Sequence, residues 1–207
     1  MTSDIVIVDY GMANLRSVQK AFEQVGHSAE ITSDADRIAT AQKVVLPGVG
    51  AFCDAIARLR ETHLGSAITD HIKRGRPFLG ICLGMQLLFT RGFEDGQHAG
   101  LDLFPGDVVR FPSIPGLKVP QMGWNTLNLT QPKCPLFANL PAEPAVYFVH
   151  SYYAAPTDAK CVAATADYPT PFTAVVWRDN VFATQFHPEK SQRVGLQMLK
   201  NFAEYDA

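Results

Sequence analysis

The sequence predicts an α/β protein: an open, mostly parallel, doubly wound sheet with helices on both faces, passing into a β-rich, partly antiparallel C-terminal half. Three observations carry this expectation. Up to Phe93, short apolar runs alternate with amphipathic stretches, as in successive units of parallel strand and crossover helix. Beyond Phe93 the chain turns to strand-like segments separated by Pro- and Gly-rich turns. Between Arg76 and Phe89, an apolar run meets a helix-like run at a cysteine flanked by glycines, Gly80-Ile81-Cys82-Leu83-Gly84.

In chain order, Ile5-Val6-Ile7-Val8-Asp9 reads as a strand, and Leu15, Val18, Phe22 and Val25 then recur at helical spacing up to Gly26. Val44-Val45-Leu46 is a strand ending at Pro47-Gly48-Val49-Gly50. Phe52, Ile56 and Leu59 mark a helix, and Ile68 and Ile72 mark another, stopped at Gly75. Arg76-Pro77-Phe78-Leu79 enters the cysteine turn, and Met85-Gln86-Leu87-Leu88-Phe89 reads as the helix leaving it. Strand-like segments follow around Asp107 to Phe111, Val146 to Tyr153, Cys161 to Ala166, Thr173 to Trp177 and Val181 to Phe186. Ser191 to Tyr205 closes the chain as a helix, with Val194, Met198 and Phe202 on one stripe and Leu199 beside it. There is no internal repeat or low-complexity linker, and 207 residues suit one core, so a single domain over 1–207 is expected.

Composition narrows the function. Lys and Arg number 18 against 20 Asp and Glu, which leaves no polybasic arm and argues against a nucleic-acid partner. The apolar stretch Ile5 to Val8 is too short for a signal peptide or membrane span, so a cytoplasmic protein is expected. The four cysteines form no Cys-x-x-Cys pair, so neither a metal site nor a redox dithiol is expected. Cys53, Cys134 and Cys161 read as small buried hydrophobes, and no cofactor is implied. Only Cys82 has special surroundings.

A cysteine at the apex of a strand-turn-helix elbow is how a sulfur nucleophile is presented for acyl chemistry. The helix N-terminus behind it would favour thiolate. Such a nucleophile needs a base, and the base an orienting group. His187 ends a strand at the point where Pro188 stops the ladder, and Glu189 follows two residues later, so Cys82, His187 and Glu189 form a candidate triad. The tripeptide alone also fits a helix-initiating turn. His150, beside Ser151 and Tyr152, is the alternative base. An oxyanion needs two backbone N–H groups. Leu83, directly after the cysteine, offers one, and the second would come from the strand end at Pro47-Gly48-Val49-Gly50, at Val49 or Gly50.

Gly80-Ile81-Cys82-Leu83-Gly84-Met85-Gln86 together with His187-Pro188-Glu189 resembles the class I, triad-type glutamine amidotransferases. The resemblance implies that fold and a reaction on L-glutamine: Cys82 attacks the side-chain amide, ammonia leaves, and water hydrolyses the γ-glutamyl thioester. His187 would be base and then acid, and Glu189 its orienting carboxylate. Gln86, Gly48, Ser151 and Tyr152 would hold the glutamine. Further blocks, among them Asp9-Tyr10-Gly11-Met12-Ala13-Asn14-Leu15, Met122-Gly123-Trp124-Asn125 and Tyr147-Phe148-Val149-His150-Ser151-Tyr152-Tyr153, are similar to the histidine-biosynthetic branch of that family. Ala13, where glycine is usual, and Gln121, where histidine is more frequent, depart from its pattern.

That branch implies a heterodimer with a (β/α)8-barrel cyclase, which receives ammonia through a sheltered path. Its products are imidazole glycerol phosphate and an aminoimidazole carboxamide ribotide. Asn14, Gln121, Trp124, Tyr147 and Lys190 are the candidates for the docking face, although Trp124 and Tyr147 equally suit a core. Hydrolysis is expected to be slow alone, with Val49 or Gly50 reorienting when the partner binds. The alternatives are a glutaminase of pyridoxal phosphate, purine or anthranilate synthesis, a hydrolase of peptides or γ-glutamyl chains, and a non-catalytic binding subunit.

Overall fold

The structure, a computed structural model, describes residues 4–206. The first half is made of β1 (Ile5–Val8), α1 (Leu15–Gln24), β2 (Ala29–Thr32), α2 (Ala35–Thr40), β3 (Lys43–Gly48), α3 (Phe52–Glu61), α4 (Leu64–Lys73), β4 (Phe78–Cys82) and the short α5 (Leu83–Gln86). The second half contains β5 (Phe89–Gly92), β6 (His98–Ala99), β7 (Phe104–Arg110), β8 (Gln121–Thr126), β9 (Asn128–Leu129), β10 (Ala145–His150) and β11 (Tyr152–Pro156). It ends with β12 (Val162–Asp167), β13 (Pro171–Arg178), β14 (Val181–Thr184) and α6 (Gln192–Glu204).

The main sheet has eight strands in the order β2-β1-β3-β4-β14-β13-β12-β9. Pairing is parallel from β2 to β14 and antiparallel from β14 to β9. This is the expected doubly wound sheet with an antiparallel extension. β1, β3, β4 and β14 are buried along their whole length, because helices cover both faces. Along β1, Ile5 and Ile7 pack with Val18 and Phe22 of α1 and Met198 and Phe202 of α6. Val6 and Val8 face the other way, toward Ile38, Phe52, Ile56 and Ile68 on α2 to α4. The period of two thus serves two cores at once.

The apolar reading runs past the element ends in three places. The helix expected over Met85 to Phe89 stops at Gln86, because the Leu87 and Leu88 carbonyls accept from Leu101, Leu103 and Phe104 N–H groups and cannot continue a helix. The strand expected over Val146 to Tyr153 is two strands that part at Ser151: β10 pairs with β8, and β11 with β7. The strand expected up to Phe186 ends at Thr184. Cys53 is half-exposed, whereas Cys134 and Cys161 are buried as expected, and all four cysteines are free thiols. Among the described residues no helix is long and apolar enough to cross a membrane.

Candidate active site

Three neighbouring parallel strands deliver the site. Gly48 at the end of β3 lies in register with Cys82 at the end of β4, and β14, which runs on to His187, flanks β4 on the other side. Groups at the carboxyl ends of adjacent parallel strands converge however far apart they lie in sequence.

Cys82 carries the strain of the elbow, with φ 55° and ψ −111°. The flanking glycines serve a different need from the one their flexibility suggests, since neither has a positive φ. A Cβ on Gly84 would run into the Leu46 carbonyl of β3, and one on Gly80 into the Gly84 carbonyl. They are glycines because α5 lies hard against the sheet. With only one turn in α5, the field expected from a full helix shrinks to the local N–H groups at its start, and His187 becomes the main positive partner of the sulfur.

The His187 imidazole lies beside the Cys82 sulfur, which raises its pKa. Its Nδ1 lies 2.8 Å from Glu189 Oε1, with both side chains almost fully buried. Burial pulls the imidazole down, yet the Cys82 sulfur and the Glu189 carboxylate on either side outweigh it and push the ring up to about 10. His150 is the opposite case. Burial lowers it to about 4, and its ring nitrogens face the Tyr152 carbonyl at 2.8 Å and Gln121 Oε1 at 3.0 Å, which leaves it no free nitrogen to serve Cys82.

The profile described as Glutamine amidotransferase class-I matches residues 6–205. The imidazole glycerol phosphate synthase subunit HisH of Syntrophotalea carbinolica is 58% identical over 205 residues, covering 97% of this chain and 99% of that one. The chain belongs to the HisH family of class-I glutamine amidotransferases. The subunit HisH of Geobacter sulfurreducens is 52% identical, covering 97% of this chain and 98% of its own. Among solved structures, PurLQS from Thermotoga maritima superposes with a TM-score of 0.75 at 19% identity, over 98% of this chain and 96% of that one, which shows a shared fold.

In this HisH chain Cys82 and His187 line a cavity of about 340 Å³, the size of a small-ligand site, and Glu189 bonds the His187 ring without lining it. Val49, Gly50, Leu83, Gln86, Ser151 and Tyr152 line the cavity, and so does Lys190, which the sequence suggests for the docking face. Gly48 does not. It is buried behind the wall, against Tyr10, Leu83 and Gly84. Gln86 spends its side-chain N–H groups on the Tyr152 carbonyl at 2.9 Å and Gln185 Oε1 at 3.0 Å, leaving its own oxygen as the group to offer a ligand. Val49 N–H is also committed, donating to the Met12 carbonyl at 2.9 Å.

Two residues of the site escaped the sequence reading. Glu94, in the loop after β5, lines the cavity, and its Oε2 accepts from Phe52 N–H at 2.7 Å, which caps α3 where Ala51 has no side chain to do so. Gln185 is fully buried, with Nε2 3.9 Å from the Cys82 sulfur. No motif spacing marks either residue.

The docking candidates divide. Trp124 is 49% exposed and pairs across the β8–β10 ribbon with half-buried Tyr147, their rings 6.1 Å apart and edge to face. Met122, 65% exposed on the same ribbon, was not foreseen. Asn14 and Lys190 are exposed. Gln121 is a correction: it is 3% exposed and bound to His150, because side chains alternate along β8 and its own points inward.

Proposed function

We propose that Cys82, His187 and Glu189 hydrolyse L-glutamine in this cavity and that the ammonia released passes to a cyclase subunit docked on the β8–β10 ribbon. The chain is a HisH glutaminase of histidine biosynthesis. One observation carries the assignment of residues: the sulfur of Cys82 and the carboxylate of Glu189 lie on either side of one buried imidazole, at the mouth of a cavity of ligand size.

In this reading the Cys82 thiolate attacks the amide carbon of glutamine, and its carbonyl becomes an oxyanion. His187, protonated beside the sulfur, gives its proton to the departing nitrogen, so ammonia leaves and a γ-glutamyl thioester remains. His187 then takes a proton from water as the water attacks the thioester. The C–S bond breaks, glutamate departs, and the thiolate–imidazolium pair returns. Glu189 holds the ring in the tautomer that presents Nε2 to the sulfur. The zwitterionic end of glutamine needs an anion for its ammonium and donors for its carboxylate. Glu94 supplies the first, and the Ser151–Tyr152 segment, with the Gln86 oxygen, completes the pocket.

Leu83 N–H is one oxyanion donor. The second is Val49 N–H, once the Gly48–Val49 peptide has rotated away from Met12. Such a resting state suits an enzyme that should not release ammonia without a recipient. Ammonia in neutral water is mostly protonated and has then no lone pair to attack with, so a sheltered path preserves the nucleophile. The partner chemistry is that of a (β/α)8-barrel cyclase making imidazole glycerol phosphate and an aminoimidazole carboxamide ribotide. Trp124, Tyr147 and Met122 form the apolar centre of the docking face, with Asn14 and Lys190 at its polar edge. A cytoplasmic location fits four free thiols. Glutamate release by Cys82→Ala, assayed with the cyclase present, tests the assignment: it should fall to background, and appreciable turnover would remove the nucleophile.

A further inference from the structure

Tyr10 follows β1 and is 4% exposed, yet its hydroxyl has no protein hydrogen-bond partner among the described residues. A buried hydroxyl left unpaired is costly, about 1–3 kcal/mol, so its place in a site needs a reason. The group is wedged between the oxyanion strand and the elbow. A Cβ on Gly48 would land on the Tyr10 oxygen, with Leu83 Cβ and Gly84 N next nearest. Asp9 accepts from Gly11 N–H at 3.0 Å, which fixes the turn that carries Tyr10 into this position. Burial, and then the nearby Cys82 sulfur, push the phenol well above its ordinary range, so it remains a donor at any working pH.

A trans peptide is planar, with N–H and C=O pointing in opposite directions. Val49 N–H now faces the Met12 carbonyl. Any rotation that turns this N–H toward the substrate swings the Gly48 carbonyl toward the loop between β1 and α1, where the Met12 carbonyl already sits. Two acceptors would then face one another inside the protein, and a donor is required there. We propose that Tyr10 is a positioning residue whose hydroxyl, idle at rest, donates to the Gly48 carbonyl in the rotated state and so holds Val49 N–H toward the oxyanion. This rests on the assignment of Val49 as second oxyanion donor. It explains at once why position 48 has no side chain and why a phenol is buried without a partner.

Tyr10→Phe removes only the oxygen. In the complex with the cyclase carrying imidazole glycerol phosphate, kcat for glutamate release should fall about ten-fold with KM for glutamine unchanged, the worth of one buried hydrogen bond to a backbone carbonyl. Alkylation of Cys82 by iodoacetamide, read by peptide mass, should proceed at the wild-type rate, and the Tm should hold or rise, since an unpaired hydroxyl has gone. Wild-type kcat in the variant would overturn the proposal. So would losses of Tm and alkylation rate that accompany the loss of kcat, which would make Tyr10 structural. If wild-type glutaminase is not stimulated by the loaded cyclase at all, the Val49 assignment itself fails and this proposal with it.

Discussion

The backbone N–H of His187 donates to the carbonyl of Tyr147 at 3.1 Å, so the strand whose outer face carries Tyr147 also supports the triad histidine. Ser191 closes the link from the other side. Its hydroxyl donates to the His187 carbonyl at 2.7 Å and accepts from Tyr147 N–H at 2.9 Å. Ser191→Ala should leave the Tyr147 N–H unpaired, while the His187 carbonyl keeps Lys190 N–H at 3.0 Å, lowering unfolding free energy by about 1–3 kcal/mol and kcat with it. Urea unfolding alongside steady-state kinetics checks this, and an unchanged midpoint would show the link to be slack.

His187 gives a pH signature. Its pKa in the fold, about 10, lies above the ordinary 6.5, so the pair with Cys82 and Glu189 stabilises the fold in full below pH about 6.5. That contribution fades as pH rises and is gone beyond about 10. The stability gap between wild type and His187→Gln should therefore narrow from pH 6 to pH 10. In Cys82→Ala, NMR should find the imidazole titrating lower than in wild type, because one of the two neighbours that raise it is missing.

Glu94→Gln separates binding from capping. The amide oxygen still accepts from Phe52 N–H, while the charge facing a substrate ammonium is lost. KM for glutamine should rise about ten-fold or more with kcat and Tm close to wild type. Equal KM values would move the ammonium site elsewhere.

Glutaminase rates for the chain alone, with empty cyclase and with loaded cyclase should rise in that order. A second oxyanion donor is worth roughly 10²–10³ in kcat, which bounds the span from resting to fully stimulated enzyme. Three equal rates would mean that Val49 N–H never leaves Met12, or is never needed.

Trp124→Ala should weaken cyclase binding by about 2 kcal/mol or more in titration calorimetry, since exposed aromatics at the centre of a face carry most of its affinity. Gln121→Ala should leave that affinity alone and act instead on His150.

The sequence displayed the triad because each member sits beside a loud signal: glycines around Cys82, and Pro188 between His187 and Glu189. It displayed the central sheet because fully buried strands read as unbroken apolar runs. Glu94 was silent, since a loop acid becomes a ligand only once β5 joins β7 and turns the loop over the end of α3. Gln121 misled for a related reason. Gly123 and the polar residues of β8 hide its alternation, so nothing in the string says which side chains point inward. Ser151 gave no warning that it divides one apolar run between two sheets.

Cys82, held at φ 55°, makes the nucleophile the least comfortable residue of its own turn. Glycine would relax there, and Cys82→Gly should unfold at a higher temperature than the working enzyme despite losing the pair with His187. Selection for thermal robustness alone would thus erase the sulfur. Its persistence at that angle records a compromise in which durability has been given up for reactivity at a single residue.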